Sequence, residues 1–359
     1  MKILLLTTDC YGGHGGIALY NRDVVQALVE IPQVSEVVVV PRVIVHALEP
    51  IPKKVRFMKD VAGSRVRYVF AAAKLATEQF DLVICGHIHL LPVAAAIAWA
   101  RRIPLILMAY GIEVWKAPYR SAARWLRKVD SIWSISAITR DRMNAWAHLD
   151  IGRYSLLPNA IHMDKYGAKD KPEALIKRYG LEGSKVIMTL CRLPEAERYK
   201  GVDEVLECLP SLLRKQPKLK YLIAGDGDDR PRLEEKTRSL GLSNHVVFTG
   251  MVKESEKPDH FRLADAFVMP GRGEGFGFVF LEALACGVPA VGSHVDGSRE
   301  ALRQGLLGEL VDPMDRCSIQ EGILRALARP KGIPEGLDHF AWPAFSSRVS
   351  AAVQKVSSE

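Results

Sequence analysis

The sequence predicts an α/β protein of two domains, each a Rossmann-like, doubly wound parallel sheet. Three observations carry this expectation: short runs that are apolar throughout, helical segments between them, and a polar break near the middle of the 359 residues. A strand buried on both faces reads as a continuous apolar run, and alternation of such strands with helices implies parallel pairing. A chain of this length favours two cores over one. With 48% hydrophobic and 25% charged residues the composition is that of a globular chain, not a disordered one.

Residues 2–7 form the first apolar run, followed by Gly12-Gly13-His14-Gly15-Gly16 and a helical stretch over 16–30. Further runs at 36–40, 81–85 and 104–108 continue the series, with helical spacing at 92–101. Residues 131–136 and 154–158 complete the first half. Residues 159–183 are polar and lysine-rich and contain Lys171-Pro172, which places the interdomain connection there. A second series begins at 185–191 and continues at 219–224, 246–249, 266–269 and 289–291, each run followed by a helical stretch. A last helix is expected over 343–356. The expected domains are 1–165 and 166–340, with 341–359 as a terminal helix. Two such sheets facing each other make a cleft at their carboxyl ends, where ligands of α/β folds bind.

The chain contains no stretch of eighteen uncharged apolar residues, so no transmembrane helix is expected. Its start has only a short apolar run before Asp9, a buried strand and not a signal peptide, which predicts a cytoplasmic protein. The six cysteines form no Cys-x-x-Cys pair and read as reduced core residues. A formal charge of +8 suits anionic partners such as phosphate groups or lipid head groups. No nucleic-acid-binding module is present, and nucleic acid is not expected as a partner.

The most informative phrase is Arg272-Gly273-Glu274-Gly275-Phe276-Gly277-Phe278, which runs through Glu282 to Cys286-Gly287-Val288-Pro289. Glycine lets a backbone approach a ligand closely, and the helix start that follows offers free N–H groups and a positive dipole end to phosphate. Glu274 lies before that seat and Glu282 about two turns into the helix. Carboxylates beside an anion site make sense as acceptors from neutral hydroxyls. The phrase therefore reads as a site for a sugar joined to a nucleoside through phosphates.

This phrase resembles the Glu-x7-Glu motif of the retaining glycosyltransferases of GT-B fold, family 4, of the bacterial cell-surface polysaccharide and lipid-linked saccharide type. Leu190-Cys191-Arg192-Leu193-Pro194-Glu195-Ala196-Glu197-Arg198-Tyr199-Lys200-Gly201 resembles the same family's Arg/Lys phrase, and the segment from Phe340 resembles its terminal crossover. The resemblance implies transfer of a hexose from a nucleoside diphosphate sugar to a saccharide or lipid-linked acceptor, without a cofactor or a divalent ion. It implies that Arg192 and Lys200 clamp the diphosphate, where fixed cations favour the departing group. Glu282 is implied to hold the ribose hydroxyls, and Glu274 with Gly275, Phe276 and Gly277 to position the transferred sugar.

Other phrases fit the same family. Gly15 and Gly16 stand in its first-strand glycine loop, with Ala18 where a dinucleotide fingerprint needs a third glycine and no Walker lysine. Val252, after Gly250-Met251, is the residue whose backbone is implied to meet the nucleobase. Tyr110 stands where many relatives carry a reaction-centre histidine; a phenol with pKa about 10 is a poor proton shuttle at neutral pH. His87 and His89 follow the strand ending at Cys85. Pro158-Asn159-Ala160-Ile161-His162 resembles the hinge phrase, with Ala160 and His162 in place of glycine and aspartate. Asp226-Gly227-Asp228-Asp229 has the composition of a metal cluster but the position of a turn and cap. Basic stretches at 53–67 and 116–128, the second interleaved with Trp115, Tyr119 and Trp125, suit either a solvated face or an anionic membrane surface. Two readings compete with transfer: a nucleotide-sugar epimerase of the same fold, and a non-catalytic sugar-nucleotide-binding subunit.

Overall fold

The computed structural model describes residues 1–13 and 15–357. His14 lies outside the described residues. The chain forms two compact units, Met1–Ala160 together with the segment from Trp342 onward, and Ile161–Ala341.

The first unit contains β1 (Lys2–Thr7), α1 (Gly16–Glu30), β2 (Glu36–Pro41), β3 (Val55–Phe57), α2 (Arg65–Leu75) and β4 (Leu82–Gly86). It continues through α3 (Leu91–Arg101), β5 (Leu105–Ala109), α4 (Ala122–Leu126), β6 (Ser131–Ser134), α5 (Ala137–Ala147) and β7 (Tyr154–Leu156). The second contains α6 (Glu173–Tyr179), β8 (Lys185–Leu190), α7 (Val202–Lys215), β9 (Leu219–Ala224), α8 (Arg230–Ser239), β10 (Val246–Gly250) and α9 (Lys257–Leu263). It is completed by β11 (Ala266–Val268), α10 (Phe278–Ala285), β12 (Ala290–Ser293), α11 (Ser298–Ala301), β13 (Glu309–Val311) and α12 (Arg316–Ala328). The last helix, α13 (Trp342–Ser357), belongs to the first unit and packs along α1.

Both sheets are parallel, with strand orders β3-β2-β1-β4-β5-β6-β7 and β10-β9-β8-β11-β12-β13. In each, the order reverses beside the first strand, which is the doubly wound arrangement the apolar runs predicted. The central strands are buried on both faces: Leu4 and Leu6 meet Val38, Val40, Val83 and Cys85 under the helix layer of α2 to α5. The edge strands β3 and β13 were not read from the sequence. Each is three residues long and only partly buried, so neither carries an apolar run. The basic 53–67 stretch thus holds β3 and the start of α2. No described helix is long and apolar enough to cross a membrane.

At the carboxyl edge of the first sheet a buried polar chain ties three elements together. Asn21 on α1 donates to Thr7 Oγ1 at the end of β1 (2.7 Å) and to the Asp9 carbonyl (2.7 Å). Tyr110, just after β5, donates its hydroxyl to Asn21 Oδ1 (2.6 Å) and sets its ring edge-on against Tyr20. Burial holds the Tyr110 phenol well above its ordinary pKa. Glu113 then accepts from the Tyr110 backbone N–H (2.6 Å), and burial pushes its carboxyl up. Because Asn21 is fully buried, Tyr110→Phe should lower the unfolding free energy by about 1–2 kcal/mol, the cost of an unpaired buried acceptor, read from the urea midpoint.

Candidate functional site

The loop between β11 and α10 carries Glu274, and a second loop, after β12, holds it. Asp296 Oδ2 accepts from the Glu274 N–H (3.0 Å), and the Glu274 carbonyl accepts from Gly297 N–H (2.8 Å). Asp296 is fully buried; Ser298 donates to its other oxygen through both N–H (3.0 Å) and hydroxyl (2.6 Å). Burial pushes the Asp296 carboxyl up despite these bonds. The two backbones meet so closely that a Cβ on Gly297 would lie 2.2 Å from the Gly275 carbonyl oxygen, a contact only glycine permits. Gly277 is the left-handed N-cap of α10. The helix begins at Phe278, so Glu282 lies little more than one turn in, not the two turns expected from the sequence. The Phe276 ring is buried edge-on against Phe340.

The cationic phrase folds beside this loop, after β8. Residues 195–200 form two short 3-10 turns joined by a kink at Glu197. Lys200 Nζ lies 3.4 Å from Glu197 and 3.6 Å from Glu274. Burial pulls the Lys200 ammonium down, but its neighbours, led by Glu274, outweigh it and hold its pKa above the ordinary lysine value. Arg192, 79% exposed, pairs with the other oxygen of Glu197. Charges therefore alternate along Arg192, Glu197, Lys200 and Glu274, and every distance in that line is within ion-pair reach.

Glu282 lies in the same unit, 1% exposed. One oxygen accepts from the Tyr166 hydroxyl (2.8 Å) and lies 3.7 Å from Lys257 Nζ. The other is buried and has no hydrogen-bond partner among the described residues. Burial pushes this carboxyl up, with Lys257 opposing. A buried acceptor with an unused lone pair is what a neutral hydroxyl would satisfy. Val252 follows β10 in this unit. Gly15 caps α1 and Gly16 opens it in the first unit, with open space around both, and Tyr110 is engaged with Asn21 as described.

The acidic run at 226–229 serves the framework. Asp229 accepts from Arg198 and Arg232, which with Arg232 leading pull its carboxyl down to about 2, and Asp228 accepts from the Glu195 N–H. Among the described residues, no group of three or more His, Cys, Asp or Glu side chains is placed to hold an ion. His87 accepts from the His89 N–H and stacks on its ring; burial, with His89 adding, pulls the His87 imidazole down to about 4. In the second basic stretch Trp115 lies under Arg142 and, with Trp125, packs against the core, so these rings are not the exposed aromatics. Among the described residues, the exposed Phe, Tyr or Trp rings are Phe70 on α2 and Trp99 on α3.

Four site residues escaped the sequence reading: Glu197, Asp296, Tyr166 and Lys257. Glu197 was within the quoted phrase, and its spacing to Lys200 on a helical turn was the one local signal available. The others reach their partners through long-range packing that no local pattern encodes.

Residues 14–165 match the family profile described as Glycosyltransferase Family 4, and residues 173–335 match Glycosyl transferases group 1. A GDP-mannose-dependent α-(1-6)-phosphatidylinositol monomannoside mannosyltransferase of Mycolicibacterium smegmatis is 30% identical over 319 residues, covering 83% of this chain and 81% of the relative. An α-D-kanosaminyltransferase of Streptomyces kanamyceticus is 29% identical over 217 residues, covering 58% of this chain and 55% of the relative. Among solved structures, Anabaena HepE in complex with UDP and glucose superposes with a TM-score of 0.74 at 19% identity, covering 100% of this chain and 98% of that one. The lipopolysaccharide outer core galactosyltransferase WaaB, in its apo form, gives 0.73 at 18% identity, covering 99% of each chain. The two doubly wound units are those of the GT-B fold, and the chain belongs to glycosyltransferase family 4.

Proposed function

We propose that this nucleotide-sugar glycosyltransferase moves a mannosyl residue from GDP-mannose to a lipid-linked saccharide, with retention at the anomeric carbon. The observation that carries the reading is the joint placement of Arg192, Lys200 and Glu274 along one line of alternating charge, with the orphan oxygen of Glu282 on the helix that follows the same loop. Guanosine and mannose are supported by the relatives that align along more than four fifths of this chain, which are named as GDP-mannose-dependent mannosyltransferases.

In this reading Lys200 and Arg192 meet the phosphate oxygens, and the start of α10 adds backbone donors. As the bond from the anomeric carbon to the phosphate oxygen breaks, charge grows on the diphosphate, and cations already in place stabilise it without reorganisation. The acceptor hydroxyl attacks from the face the phosphate is leaving, and the departing phosphate oxygen takes its proton. Glu282 accepts from the ribose hydroxyls, the Val252 backbone meets the base, and Glu274 holds the sugar. Tyr110 orders the carboxyl edge of the first sheet, and no further cofactor is invoked.

An anionic membrane is the proposed surface on which the acceptor is met, at the inner face of the membrane. The helices α2, α3 and α4 contain no Asp or Glu, and α3 contacts both of the others. They expose Phe70 (72%) and Trp99 (73%) with Val66 and Val69. An open cavity of about 550 Å³ beside Trp99 is lined by Arg102, Arg127 and Lys128. Apolar side chains ringed by cations suit anionic head groups.

GDP and GDP-mannose at many times Kd should raise Tm by several degrees, more than UDP or UDP-glucose; a melting curve unmoved by any of them would remove the reading. Glu274→Gln should lower kcat by about 100-fold or more, and Glu282→Gln should raise the donor KM by about 10-fold, both from initial rates. Co-sedimentation with phosphatidylglycerol vesicles, but not phosphatidylcholine ones, is expected. The Phe70→Ser/Trp99→Ser double variant should weaken it by about 10-fold or more.

A further inference from the structure

Between the two cations assigned to the diphosphate sits a carboxylate that transfer chemistry does not call for. Glu197 occupies the kink in the 195–200 turns, at φ −111° and ψ 21°, with its side chain 13% exposed. One of its oxygens takes Arg192 Nη2. The other, 3.4 Å from Lys200 Nζ, has no hydrogen-bond partner among the described residues. Glu274 already lies 3.6 Å from Lys200 on the other side. The carboxylate next to Arg192 and Lys200 is therefore a competitor for the same N–H donors that a phosphate oxygen would need.

We infer that Glu197 stands in for the diphosphate: it holds Arg192 folded toward Lys200 before the donor enters, yields Arg192 to the phosphates, and retakes it as the nucleoside diphosphate departs. The inference rests on the reading that Arg192 and Lys200 hold that diphosphate. Its physics is competition and repulsion. An exposed arginine is not left to a strongly hydrated search, because its partner fixes the fork near the site. Once the sugar has been transferred, a fixed negative charge within a few ångströms of the diphosphate weakens product binding. The departing diphosphate carries more negative charge than the same group in the donor, so the repulsion weighs more heavily on the product.

The direction of one measurement decides the matter. Titration calorimetry with GDP should show Glu197→Gln binding about 10-fold more tightly than the parent protein, with Glu197→Ala shifted the same way. Steady-state kcat should fall as release becomes limiting, while the single-turnover transfer rate stays within about 3-fold. In an Arg192→Gln background the same Glu197→Gln change should alter GDP affinity by less than about 3-fold, because the contested fork is gone. A Glu197→Gln protein of unchanged Tm that binds GDP no better, or worse, overturns the inference and leaves Glu197 as scaffold. Failure of the parent protein to bind either GDP or UDP overturns the diphosphate reading as well, which is a separate result.

Discussion

The structure around the proposed chemistry depends on one constraint, the mutual clasp of two loops. Asp296 receives the Glu274 N–H while Gly297 donates to the Glu274 carbonyl, so the backbone of that glutamate is fixed from both sides. A carboxylate intended to meet a sugar must be held to a fraction of an ångström, and a loop alone does not do this. Here a fully buried aspartate and a glycine in near contact with Gly275 supply the rigidity. Burying Asp296 opposes its ionisation, and the hydrogen bonds from Ser298 and Glu274 are what the buried carboxylate receives in compensation.

From that fixed point the electrostatics follow. Lys200 is half-buried between two carboxylates, which keep it charged where burial alone would favour the neutral amine. An uncompensated ammonium there would be costly, and an uncompensated pair of carboxylates equally so; the alternation settles both. On α10, Glu282 is handled differently. Tyr166 and Lys257 satisfy one oxygen only, and the second stays unpaired in a buried setting. Such an atom is destabilising in the empty protein and is the kind of local deficit that binding sites keep.

The central strands were legible because they are buried on both faces, so residues such as Ile3 to Leu6 and Val37 to Val40 leave an unmixed apolar signature. The edge strands β3 and β13 were not, since one side of each faces no neighbour and short polar-containing segments can serve. Among site residues, Arg192, Lys200, Glu274 and Glu282 stood in recognisable phrases. Asp296 did not, because its role comes from a loop that reaches it only after β11 and β12 pair. Tyr166 lies 116 residues from Glu282 and meets it only through the packed second unit. The second basic stretch was misleading in its aromatics: Trp115 and Trp125 pack against the core, while Phe70, outside every assigned segment, and Trp99, in the helical 92–101 run, stand exposed among the described residues.

The ends of the second unit lie side by side: Ile161 pairs with Ala341 in a parallel bridge, and its N–H reaches the Phe340 carbonyl at 2.7 Å. That unit is thus an insertion, leaving the host fold and re-entering it at a single neck. A segment with adjoining termini loses little conformational entropy when spliced into another chain. The 161–341 stretch thus starts and finishes at one place, with its six-stranded sheet complete between those ends.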